Sequence, residues 1–117
     1  MTAYSSAAYQ RALDFWFGRV NFEIACPQPD ELRLDRIRAL LDRLGNPHER
    51  LRILHVAGSK GKGSTAAMLA AVLRQAGHRT GLFTSPHLCR VEERIQVDGR
   101  PIASEELVPL LVEGPPL

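Results

Sequence analysis

Residues 53–77 read ILHVAGSKGKGSTAAMLAAVLRQAG. An apolar run enters a loop of glycine, serine and lysine, and an alanine-rich run leaves it. Leu51 to Ala57, with Ile53, Leu54 and Val56, predicts a short strand buried on both faces, as in a parallel sheet. Ser64 to Ala76 predicts a helix with Leu69, Val72 and Leu73 on one face, closed by Gly77. Arg79 to Thr84 predicts a second strand. Strand, glycine loop, helix and strand make a βαβ unit. Parallel strands joined by a right-handed crossover are its expected geometry. The fold class is α/β, a P-loop-type parallel sheet preceded by two N-terminal helices.

A strand that runs straight into a helix through Gly58-Ser59-Lys60-Gly61-Lys62-Gly63-Ser64-Thr65 aims several backbone N–H groups at one point. Glycine permits positive-φ turns and close approach of an anion. The helix start adds unsatisfied donors and partial positive charge. Lys62 can swing its ammonium over the same point, and the Ser64 and Thr65 hydroxyls can meet a phosphate oxygen or a metal-bound water. Together these make a polyphosphate cradle. The strict Walker A pattern fails twice. Neither Val56 nor its neighbour Ala57 is the glycine the pattern needs first, and Gly63 separates Lys62 from Ser64. The looser Gly58-x-x-Gly61-Lys62-Gly63-Ser64 fits. A dinucleotide fingerprint, Gly61-x-Gly63-x-x-Ala66, competes, but it wants an acid at the end of the second strand. That strand ends Phe83-Thr84-Ser85-Pro86, and the next acid is Glu92. A plain tight turn is the third reading.

Outward from this centre, Tyr9, Leu13, Trp16 and Val20 recur at helical spacing, with Ser5 or Ser6 as cap. A loop with two prolines, Asn21 to Pro29, follows. Asp30 is placed to cap a second helix whose Leu34, Ile37, Leu41 and Leu44 form one apolar stripe, ended by Gly45-Asn46-Pro47. Beyond the second strand, Glu93 to Val97 and Pro101-Ile102 flank Asp98-Gly99-Arg100, a hairpin signal. Ser104 suits the cap of a last helix, with Glu105 and Glu106 in its first turn. The chain thus divides into a helical lead-in over 1–50, the phosphate-loop unit and following strand over 51–97, and a hairpin turn and truncated helix over 98–117.

With 117 residues the chain is one domain at most. Its net charge of +2, with arginines interleaved among acids, gives no basic stripe and no case for nucleic acid. The N-terminus lacks the pattern of a signal peptide, and no segment reads as membrane-spanning. Two cysteines, Cys26 and Cys89, are too few for a disulfide framework and read as packing residues in a cytoplasmic protein. The tail Gly114-Pro115-Pro116 stops a helix rather than completing a fold, which leaves two expectations: a fragment, or a frame that ends early.

HVAGSKGKGSTAAML, then Ser85 within LFTSPHL, then ERIQVDGRPIASEEL, resemble the folylpolyglutamate and dihydrofolate synthases of the Mur ligase superfamily. ALDFWFGRVNFE and RIRALLDRLGNPHERLRILHVAG carry the same resemblance, which runs from about Ala12 to Leu107 in motif order. It implies an incomplete Mur-ligase central domain and an ATP-dependent ligase. In such enzymes a folate or dihydropteroate carboxylate takes the γ-phosphoryl group of ATP, and the amine of L-glutamate displaces phosphate from the acyl phosphate. It implies that Gly58 to Thr65 bind nucleotide, that Lys62 is the catalytic lysine on the β- and γ-phosphates, and that Ser85 ligates magnesium. The Asn21 to Pro29 loop matches the region that meets the pterin, without residue assignments. Ser59-Lys60 and Val91-Glu92 depart from the common pattern. Further ligands for metal and glutamate are expected outside these residues, so the 117 residues alone are expected to be inactive, and the full-length enzyme to be a monomer. Among single residues, Trp16 reads as core and His55 as packed in its strand. His48 and His78 read as exposed, His87 as either near the site or a surface loop residue. Glu92 and Glu93, on opposite faces of a strand, read as a surface acid and an arginine partner.

Overall fold

The computed structural model describes residues 6–18 and 34–112. Ser5, Val20, the Asn21 to Pro29 loop, Cys26 and Asp30 lie outside them. The chain has helices α1 (Ser6–Phe17), α2 (Asp35–Arg43), α3 (Lys62–Gln75) and α4 (Ser104–Val112), with strands β1 (Gly81–Phe83), β2 (Ile95–Val97) and β3 (Arg100–Pro101). Short 3-10 turns cover Pro47–Arg50 and Val91–Arg94. This is a mixed α/β arrangement.

Helix α3 is bounded by two left-handed glycines. Gly61 (φ 74°) is its N-cap, so the helix starts two residues ahead of the predicted Ser64. At the far end Gly77 (φ 85°) reverses the chain. Its N–H donates to Arg74 O (2.9 Å) and that of His78 to Leu73 O (3.0 Å), the paired bonds of a Schellman motif. Between them the four alanines Ala66, Ala67, Ala70 and Ala71 supply high helix propensity.

The sheet is antiparallel throughout, in the order β1-β2-β3. Gly81 pairs with Val97 and Phe83 with Ile95; Val97 pairs with Arg100. The expected hairpin forms, with Asp98 (φ 50°) and Gly99 (φ 78°) as the two left-handed residues of a type I′ turn. Asp98 also fastens the hairpin to the start of β1. Its Oδ1 accepts from Thr80 N (2.8 Å), and its own N–H donates to Thr80 O (2.8 Å). Arg74 reaches from α3 to Asp98 O (3.0 Å) across Gly99, where an added Cβ would lie 1.5 Å from Arg74 Nη1.

Several expectations change. Leu51 to Ala57 forms no strand among the described residues, and the parallel pairing with Arg79 to Thr84 is not formed. A strand apolar on both faces needs hydrogen-bonding neighbours and two covering layers. Here Ile53 remains 66% exposed. The apolar stripe of α2 is likewise uncovered, with no buried residue. The strand predicted from Glu93 begins at Ile95, because Val91–Arg94 turns as a 3-10 helix. His55 is exposed rather than packed, and Cys89 is exposed and free rather than a packing residue. His48 and His78 are exposed, as read. Trp16 is half-buried, its ring 6.3 Å from that of Phe17.

The core is small and lies where α1 packs on α4 and the 3-10 turn: Ala12, Val91, Leu107 and Val108 are buried there, with Ala70 on α3. A carboxylate holds this corner. Glu92 is 4% exposed, not a surface acid. It accepts from Arg90 Nη2 (3.0 Å) and Ser104 Oγ (2.6 Å), and the Tyr9 hydroxyl of α1 also bonds to it. Ser104 is therefore committed to Glu92 and does not cap α4. Instead Glu106 reaches back to the Ala103 N–H (3.1 Å). Burial pushes the Glu92 carboxyl up, but the bonds from Arg90, Ser104, its own backbone and Tyr9 win and bring it from 4.5 to about 2.

Two outcomes are expected. Leu107→Ala, at a position 1% exposed, should lower the unfolding free energy by about 2–4 kcal/mol in urea titrations. Because the folded pKa of Glu92 lies below its ordinary value, its stabilisation is complete above pH about 4.5 and is lost as pH falls toward 2. The drop is equivalent to about 3 kcal/mol. Stability measured over that range should fall steeply in the native chain and much less in Glu92→Gln.

Candidate functional site

The glycine loop enters α3 with every residue from Gly58 to Thr65 exposed. Gly58 (φ 154°) and Gly61 (φ 74°) both hold backbone conformations that side-chain-bearing residues rarely adopt. No side chain caps α3. The first turn's N–H groups, at Lys62, Gly63 and Ser64, have no partner within the helix, and the Thr65 N–H is the first to find one, at Gly61 O (3.0 Å). Lys62 folds back over the loop that precedes it. Its Nζ donates to Gly58 O at 2.7 Å and approaches Ser59 O at 3.5 Å. The ammonium therefore lies on the same short loop as the open helix start, where an anion would meet both. Ser59 and Lys60 stand on the exposed bend between the two glycines, and the Ser64 and Thr65 hydroxyls lie on the first turn of α3.

Gly63 differs from its neighbours. Its φ is not positive, and an added Cβ would meet nothing within 4 Å. A glycine in the first turn of a helix, facing open space, serves neither packing nor backbone conformation in the chain by itself. Its lack of a side chain leaves the backbone open to approach from outside α3.

Ser85 lies on the second arm. Helix α3 is about 21 Å long from its 14 residues, and after the reversal at Gly77 the chain runs back along it, with β1 packed on α3. Ser85 follows Phe83 and Thr84 beyond the end of β1, exposed, with a cis Ser85–Pro86 peptide. His87 turns away from this group. Its Nδ1 accepts from Arg94 Nε (2.9 Å), and its ring lies 6.1 Å from that of Phe17, over which Arg94 also sits at 5.7 Å.

Glu93 was read only as an arginine partner. Its carboxylate instead accepts three backbone N–H groups, from Leu88 (2.9 Å), Arg90 (3.0 Å) and Cys89 (3.2 Å). The Leu88 and Arg90 bonds, in that order, hold its carboxyl below the ordinary value. Sequence held one signal for this: Glu93 stands three residues after Arg90, the spacing at which an acid reaches back to the N–H that opens a turn. Among the described residues no group of three histidines, cysteines or acids could hold a metal. The hydroxyls of Ser85, Ser64 and Thr65 are exposed oxygens of the kind a hard cation takes. No described helix is long and apolar enough to cross a membrane.

No family model matches the chain. Individual proteins do. Over 108 residues, 92% of its length, it is 44% identical to a Haloferax volcanii protein named "Probable bifunctional folylpolyglutamate synthase/dihydropteroate synthase". Over 93% of its length it is 41% identical to the dihydrofolate synthase/folylpolyglutamate synthase of Bacillus subtilis. The crystal structure of folylpolyglutamate synthase from Thermotoga maritima superposes on 92% of the chain with a TM-score of 0.74 at 34% identity. The chain is homologous to these synthases, as the motifs implied. It spans 12% of the first relative, 24% of the second and 23% of the third.

Gly61 and Gly63 should respond differently to alanine. Gly61→Ala should destabilise the chain by about 1–2 kcal/mol through its left-handed φ. Gly63→Ala should stabilise it by up to about 1 kcal/mol, through helix propensity. Urea titration reads both; a destabilising Gly63→Ala would show that this glycine serves the fold.

Proposed function

We propose that this chain is the phosphate-binding part of an ATP-dependent ligase that adds L-glutamate to a folate, with dihydropteroate as another acceptor. The observation that carries the reading is the placement of the Lys62 ammonium, 2.7 Å from Gly58 O, on the exposed loop that opens into the uncapped start of α3. The homology supplies the reaction class. The relatives are named as folylpolyglutamate and dihydrofolate synthases, and joining glutamate to a carboxylate in water requires that carboxylate to be activated first.

In this reading the N–H groups of the first turn of α3 bind the β- and γ-phosphates of ATP, and Lys62 leaves the loop carbonyls to neutralise the γ-phosphoryl charge as it transfers. Gly58 and Gly61 shape the cradle, and Gly63 lets the phosphates approach. Ser59, Lys60, Ser64 and Thr65 complete the polar lining. The substrate carboxylate oxygen forms a bond to γ-phosphorus as the bond to ADP breaks. The amine of L-glutamate then attacks the acyl phosphate, and inorganic phosphate leaves with the pair of electrons. Ser85 would hold magnesium, whose chemistry is to offset charge on the triphosphate oxygens.

Residues 51–57 are read here as the strand ahead of the loop, paired in parallel once its apolar faces are covered. The lead-in over 1–50, the unit over 51–97 and the hairpin and helix over 98–117 are its divisions. The setting this implies is a cytoplasmic monomer acting on small molecules. The 117 residues span a quarter or less of the relatives' lengths, so alone they are read as binding nucleotide without turning over folate.

Calorimetry with MgATP tests the assignment. The native chain should bind and Lys62→Ala should lose at least about tenfold in affinity, because the N–H groups then face the γ-phosphate charge without a cation. Equal affinities would overturn it.

A further inference from the structure

The segment from Thr84 to Arg90 carries Ser85, and apolar packing does little to hold it. Leu88 is 95% exposed, and Ser85, Pro86, Cys89 and Arg90 are exposed as well. Two consecutive residues of the 3-10 turn fix it instead. Arg94 holds the front, through Thr84 N–H to its carbonyl (3.0 Å) and through its Nε to His87 Nδ1 (2.9 Å). Glu93 holds the back, where both carboxylate oxygens are occupied by the N–H groups of Leu88, Cys89 and Arg90. Ser85 lies between Thr84 and His87, the two residues Arg94 holds, and three residues ahead of Leu88, the first that Glu93 holds. An anionic acceptor of several N–H donors is a stronger and more directional tie than a neutral one.

We propose that Glu93 is a positioning residue: its carboxylate gathers the Leu88, Cys89 and Arg90 N–H groups and so fixes the Ser85 hydroxyl where it meets a cation carried on the triphosphate at the glycine loop. This rests on the reading of Ser85 given above. The glycine loop makes none of these bonds. Loss of the Glu93 clamp therefore affects the metal-dependent part of nucleotide binding and spares the part due to the loop alone. A turn residue with a purely structural role would weaken both equally.

The test is calorimetric titration of ATP into the chain, with magnesium and with EDTA, for the native protein, Glu93→Gln, Ser85→Ala and the double variant. Glutamine keeps the size of the side chain but replaces one accepting oxygen with a donor. Expected is native affinity without metal for Glu93→Gln, a fall in the magnesium-dependent gain on the order of tenfold, and a double variant no worse than Ser85→Ala. If Ser85→Ala reduces the gain and Glu93→Gln does not, the clamp is wrong and the metal ligand stands. If Ser85→Ala leaves the gain intact, the reading of Ser85 fails and the clamp with it. If Glu93→Gln weakens binding equally in both conditions, its role is structural and the proposal falls. Far-UV circular dichroism checks the fold. Glu93→Asp, which keeps the charge and shortens the reach by one methylene, gives the same comparison should the glutamine variant lose its helix signal.

Discussion

The buried Glu92 carboxylate is the joint on which this arrangement depends. It draws Tyr9 from α1, Arg90 from the 3-10 turn and Ser104 from α4 to one point. The core beside it is small: among the described residues the apolar side chains buried at this corner are Ala12, Val91, Leu107 and Val108. So few apolar side chains specify orientation weakly, since hydrophobic burial is non-directional. Charged hydrogen bonds supply the direction. Removing one partner would leave a buried charge unpaired, which costs more than the pair contributes.

From that joint the 3-10 turn passes order to the next segment. Glu92 faces inward to the helices, and Glu93 faces the chain that precedes it. Adjacent residues point about 120° apart in a 3-10 turn, so the two acids serve different partners without competing. Arg94 then closes onto His87 and Phe17 and hands the chain into β2. Three consecutive side chains thus connect the α1–α4 corner to the Ser85 segment.

Features set by local backbone chemistry were legible in sequence. Asp98-Gly99 encodes its turn because both positions need positive φ, and Gly77 encodes the end of α3 for the same reason. The glycine loop was legible as a loop opening into a helix, with Lys62 near its mouth. The acid pair was not, because reading Glu92 and Glu93 on a strand assigns them opposite faces by a period of two, whereas the backbone there turns with a period of three. The parallel pairing read from the apolar run at 51–57 is not formed among the described residues, because that run records what a strand needs around it and says nothing of where its neighbours come from. Ser104 misled as a cap because its hydroxyl had a stronger acceptor in Glu92, visible only once α4 meets the turn.

The Ser85 segment and the segment that leads into the glycine loop are held by different physics. The Ser85 arm is tied by hydrogen bonds and charge, which act with little regard for what covers the surface. The arm that delivers Gly58 is apolar, and Leu51, Ile53 and Leu54 are each about two-thirds exposed. On α3, Met68 and Val72 are similarly open, one turn apart on the same face. The stabilisation available from these side chains, roughly 25 cal/mol per Å² of apolar surface, is therefore gained only when they are covered. Covering them would also fix the point from which the loop departs. Order at the loop's entry would therefore come with cover over residues 51–57, whereas the Ser85 segment is already tied by the bonds to Glu93 and Arg94.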